Sequence, residues 1–174
     1  MIELALLYMF SQLDDPHRSV VLFGATIVGA AFALYSYLHR IQEHRFAEAG
    51  KMMQRWNAPD RIESRTVMAD ITDGNFDLEK IRRKTPGQVF DKDTHKLRMQ
   101  ILSFLNFYEE LAIAIAEKSV DNERCYRFFR SIAEQTWTSL GPWIQSERDV
   151  DKNQSYYCEF QNLVMKWRKQ GNAS

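Results

Sequence analysis

Apolar and polar positions alternate with three different rhythms along this chain. Residues 19–38, "SVVLFGATIVGAAFALYSYL", hold no charge, and their apolar members lie all round a helical wheel rather than along one stripe. Twenty such residues at 1.5 Å each match a hydrocarbon core about 30 Å thick. Ser19, Thr26 and Ser36 can bond their own helix backbone, and Tyr35 and Tyr37 fall near the end, where aromatic rings favour an interface. The pattern predicts a transmembrane helix. A buried core helix would need the rest of the chain to wrap it on every side.

The second rhythm is a loose helical stripe. Ile41, Phe46, Ala49, Met52, Met53 and Trp56 recur among charges, so the span is expected to continue as a juxtamembrane helix over residues 39–57, ending near Asn57 and Pro59. Residues 59–90 are less regular. "PDRIESRTVMADI" predicts a short helix, "TDGN" a turn, and "DLEKIRRK" another short helix with Asp77 as N-cap. "TPGQ" offers Thr85 as the next cap, with Pro86 at the first helical position.

The third rhythm is strict. Leu97, Ile101, Phe104, Leu105, Tyr108, Leu111, Ala112 and Ile115 predict an amphipathic helix from about Asp93 to Lys118. Ser119, Asp121 and Glu123 place a cap and negative charge before a second stripe, Cys125, Phe128, Phe129, Ile132, Thr136, Leu140 and Ile144, which Gly141-Pro142 should end or kink. Tyr156, Phe160, Leu163, Val164 and Trp167 form a third stripe. The fold class expected is all-α: a single transmembrane helix running into a juxtamembrane helix, then a small cytoplasmic helical bundle over residues 58–170.

Residues 1–18 are expected outside the cytoplasm or in the membrane interface, with 1–13 an interfacial amphipathic helix, a short helix packed on a partner or, as a third option, one arm of a two-span hairpin. The start has no Lys or Arg and the apolar run comes late, so an uncleaved anchor is expected rather than a signal peptide.

Charge adds orientation. Arg40, Arg45, Lys51 and Arg55 follow the span and only Arg18 precedes it, which puts the N-terminus outside and the C-terminal bulk in the cytoplasm, at an inner membrane. Beyond residue 57, basic and acidic residues number eighteen each, so no basic field for nucleic acid is present. "KIRRK" at 80–84 is read as a solvated or lipid-facing patch. Cys125 and Cys158 fit no CxxC or zinc spacing and are expected to be packed, reduced thiols.

Within the span, Ala25, Gly29 and Ala33 recur every four residues, a small-residue line along which two helix backbones can approach. In the bundle, Glu109 and Glu110 sit mid-helix among apolar residues; a Glu near the buried face is expected to pair with Arg124, Arg127 or Arg148. No ExxH, HExxH, GxSxG or phosphate-binding Gly-rich loop occurs, so no cofactor, metal or enzymatic role is expected.

"LNFYEELAIAI", the turn at Asp121, Phe128 and Phe129, Trp137, Leu140 and "PWIQSER" resemble an uncharacterised bacterial family, a domain of unknown function, over about residues 95–150. Its members are small proteins, often with an N-terminal transmembrane helix and a helical cytoplasmic part. Leu105, Asn106, Tyr108, Glu109, Asp121, Pro142, Ile144 and Arg148 are the matching positions. The resemblance implies anchored helical architecture and a bacterial source, and no reaction. The function expected is a membrane-anchored interaction or oligomerisation module, with the bilayer and a second copy or a partner protein as its partners. Analogy with other small anchored bacterial proteins extends this to a signalling or defence effector. The alternative is a tethered sensor binding a nucleotide or metabolite near Tyr108, Trp137 and Trp143.

Overall fold

The computed structural model describes residues 15–172. Five α-helices make up the described chain, with no strand among those residues: α1 Asp15–Trp56, α2 Ile62–Thr72, α3 Lys92–Ala116, α4 Asn122–Asp151 and α5 Cys158–Gly171. Two short 3-10 turns, Pro59–Arg61 and Leu78–Ile81, lie between α1 and α2 and between α2 and α3. The all-α expectation is borne out. The expectation for residues 1–13 falls outside the described residues.

The chain divides into two compact units between Glu43 and His44. In the first, the Thr26 hydroxyl donates to the Leu22 carbonyl at 2.8 Å, the backbone bond anticipated for a polar residue in an apolar helix. Tyr35 stacks on His39, which reaches Glu43 at 3.2 Å.

The second unit has its own core. Ala49 and Trp56, from the last turns of α1, are buried in it with Phe104, Phe107, Tyr108, Phe129, Phe160 and Trp167. Trp56 is the hub: its ring lies 5.0 Å from Phe104, 5.2 Å from Phe107, 5.6 Å from Tyr108 and 5.8 Å from Phe129. Tyr108 stacks on Phe160 at 4.7 Å, joining α3 to α5. Offset and edge-on rings each add about 0.5–1.5 kcal/mol beyond area burial.

Local signals explain the element ends. Asp121 accepts from the Arg124 N–H at 2.7 Å and starts α4. Gly74, at φ +75°, makes the turn after α2, where Asn75 N–H donates to the Asp70 carbonyl at 2.9 Å. Two expectations are corrected. Thr85 caps no helix: Gly87, at φ +71°, closes a turn there, and Asp91 caps α3 instead through the Asp93 and Thr94 N–H groups. Gly141-Pro142 does not end α4, which continues to Asp151. Pro142 and Thr138 both face outward, so water can reach the Thr138 carbonyl that a proline four residues on leaves unbonded.

The start of α4 is fastened to α1 within this unit. The Asp121 N–H donates to the Arg45 carbonyl at 3.1 Å and Arg124 donates to the Phe46 carbonyl at 3.2 Å. The Arg124 guanidinium also lies 3.8 Å from the Phe46 ring centroid.

Candidate functional site

Of the residues nominated from sequence, Tyr108 is fully buried and its hydroxyl has no hydrogen-bond partner. Burial pushes that phenol far up, opposed only by the neighbouring Thr136 hydroxyl. Trp137 is half-buried, edge-on to Phe160 at 5.4 Å. Trp143 is buried and lines a cavity of about 250 Å³ with Arg83, Arg98, Glu147, Asp151 and Tyr157; neither Tyr108 nor Trp137 is among its lining residues. The three rings therefore do not share one cleft.

The carboxylates found other partners than the arginines expected. Glu109 accepts from the backbone N–H groups of Glu159, at 3.3 Å, and Phe160, at 2.8 Å, capping the first turn of α5 from outside. Tyr157, whose hydroxyl donates to Asn106 at 3.2 Å, has its phenol pushed up to about 12 by burial and by the nearby Glu109 and Glu147 charges. Glu110 forms a two-pronged pair with Arg55, at 2.6 and 2.8 Å. Arg124 goes to Phe46, Arg127 to Glu123 at 2.8 Å, and Arg148, buried, donates to the Tyr156 carbonyl at 2.7 and 3.0 Å. Replacing Glu109 with Ala leaves two N–H groups without their acceptor; the expected loss is about 1–2 kcal/mol, measured by chemical denaturation.

The polar cluster that sequence reasoning missed lies where "KIRRK" meets α3 and α4. Arg98, 7% exposed, donates to both oxygens of Glu147, 5% exposed, at 2.9 and 3.1 Å, and to the Ile81 carbonyl. Its guanidinium lies 4.7 Å from the Phe90 ring and 5.3 Å from the Trp143 ring. Arg83 donates to Glu147 at 2.6 Å and pairs with Asp151, whose carboxyl it holds below the usual carboxylate range. Arg83 thus points into the bundle, an exception within a run whose Lys80, Arg82 and Lys84 are exposed. Two guanidiniums face two carboxylates, so charge is balanced and the linker before α3 is tied down. No group of three or more His, Cys, Asp or Glu able to hold a metal occurs among the described residues. Both cysteines are free thiols, Cys125 buried and pushed up to about 11 by burial and Asp121, Cys158 half-buried.

Along residues 20–34 of α1 every side chain is exposed, with Val20, Phe23, Val28 and Phe32 each about 70% so. By length and composition two helices among the described residues are apolar enough to cross a membrane, the stretch Ser19–Trp56 and α3. They differ in burial: none of the apolar window in the first is buried, and half of that in α3 is. Arg98, Ile101, Leu105 and Leu111 of α3 are core residues of the second unit.

The profile of one protein family, Domain of unknown function (DUF4760), matches residues 23–167. The chain belongs to that family. The DUF4760 match is wider than the sequence resemblance, which stopped at residues 95–150: it takes in most of the apolar stretch and all of residues 59–94, including Arg83. Comparison with curated proteins and with solved structures finds no match. The family assignment thus carries no reaction, and chemistry rests on this chain's own geometry.

Proposed function

We propose that the chain is a membrane-anchored helical module: residues 19–38 cross a bilayer, and the helical body assembles with itself or with a partner protein without catalysing a reaction. The observation that carries this reading is the exposure of apolar side chains on every side of α1 over residues 20–34. A continuous apolar surface of that size is unfavourable in water and ordinary in lipid. The basic residues after the span favour a cytoplasmic body and an N-terminus outside the inner membrane. High-speed centrifugation of lysed cells tests the anchor. The full chain is expected in the pellet, released only by detergent; recovery in the supernatant without detergent overturns the reading.

Assembly runs, on this reading, through Ala25, Gly29 and Ala33. A Cβ placed on Gly29 meets nothing within 4 Å in the chain, so bulk added there disturbs no intrachain contact. Gly29→Ile is expected to weaken a detergent-stable oligomer severalfold with the melting of the body unchanged, by analytical ultracentrifugation and circular dichroism. An unchanged oligomer removes this face from the mechanism.

A second reading, a tethered sensor of a small ligand, is favoured by the cavities between helices of the body.

A further inference from the structure

Between α2, α3 and α4 lies a cavity of about 310 Å³. Trp56, Phe104 and Ile132 give it apolar walls, and Arg65, Gln135 and Thr136 are polar groups on its lining. None of its lining residues is acidic. Arg65 is half-buried and, among the described residues, forms no ion pair; its one described bond is a long one, Nη1 to Asn57 Oδ1 at 3.4 Å. Its Nε is buried with no partner.

Buried polar groups are almost always paired, and an unpaired cationic donor is the costlier kind to leave so. The arginines of the other polar cluster are met by Glu147 and Asp151, whereas Arg65 has no such counter-charge. Nη1 is directed to Asn57 and Nε is closed off from solvent, so Nη2 is the donor left to meet an anion in the cavity. We propose that this cavity binds a small organic carboxylate with an apolar body, its charge on Arg65, its body against Trp56 and Phe104. A single cation with no second basic residue on the lining suits a monoanion better than a dianionic phosphate monoester. At roughly 30 Å³ per water molecule displaced the space holds about ten non-hydrogen atoms, the size of an aromatic or short aliphatic acid.

The inference gives the sensor reading a place and a ligand class, and it stands whether or not the chain is anchored. The test is calorimetric titration of the full chain in lipid nanodiscs, corrected against empty discs, with benzoate, hexanoate, benzyl alcohol and inorganic phosphate. Benzoate or hexanoate is expected to bind saturably with a dissociation constant of about 1 mM or tighter. Arg65→Gln is expected to weaken that binding about tenfold or more, with the apo protein as thermally stable as its parent. Gln135→Leu, on an exposed position of α4, is expected to weaken it severalfold and keeps the test open should the arginine variant not fold. Benzyl alcohol should bind far more weakly than benzoate, and phosphate should not displace it. No saturable binding of either acid, equal binding by the alcohol, displacement by phosphate, or undiminished affinity in the variants would each overturn the assignment. None of these outcomes changes where the protein sediments, so failure of the site and failure of the anchor are told apart.

Discussion

Replacing Glu147 with Ala is expected to destabilise the helical body by about 3–5 kcal/mol, read as a lower denaturant midpoint. The carboxylate serves two guanidiniums. Arg98 would keep only the Ile81 carbonyl in a site 7% exposed, and Arg83 would keep only Asp151. The loss comes from stranding charge away from water more than from the intrinsic strength of the pairs. Two companions separate these terms. Arg98→Met leaves Glu147 still paired with Arg83, so its cost should be smaller. Arg98→Met with Glu147→Leu removes both charges and should recover much of the loss, because a buried pair is often no more stabilising than apolar groups of its size. A loss below about 1 kcal/mol in Glu147→Ala would mean the cluster is hydrated and its geometry incidental.

Trp56→Ala should cost a similar amount, about 3–5 kcal/mol, whereas Trp137→Ala should cost about 1–2. Trp137, with Tyr108 and Trp143, is among the aromatics of interest in the sequence. The structure gives it one ring neighbour, Phe160, and gives Trp56 four, drawn from α3 and α4. Removing Trp56 opens a cavity where rings from two helices converge, and close-packed cores refill such spaces only in part. Thermal melts of the two variants decide the order; equal losses would show that the aromatic cluster has no centre.

What the sequence carried and what it withheld divide along a physical line. The stripes of α3, α4 and α5 were legible because burial on one side of a helix imposes a 3.6-residue period on the residues themselves. The Asp121 cap was legible for a similar reason, since its bond closes within three residues. Thr85 and Pro142 misled because a local signal states only a preference. Asp91 offered α3 a better start, and the outward placement of Pro142 made an interrupted helix tolerable. The partners of Glu109, Glu110 and Glu147 were beyond reach. They lie 49 to 64 residues away in sequence for Glu109, Glu110 and Glu147, and no periodicity links charges at that separation. Arg65 gave no signal, because an arginine in a short helix looks solvated until neighbouring helices close over it.

The far end of α1 has a practical corollary for anyone severing the body from its apolar leader. Cutting after Asn57, where the helix stops and a loop invites the scissors, discards Ala49, Trp56 and the Arg55 that grips Glu110. The remnant would expose the greasy socket those side chains fill and should clump. A cut just before His44 retains the plug, and a soluble, well-behaved product is to be sought there.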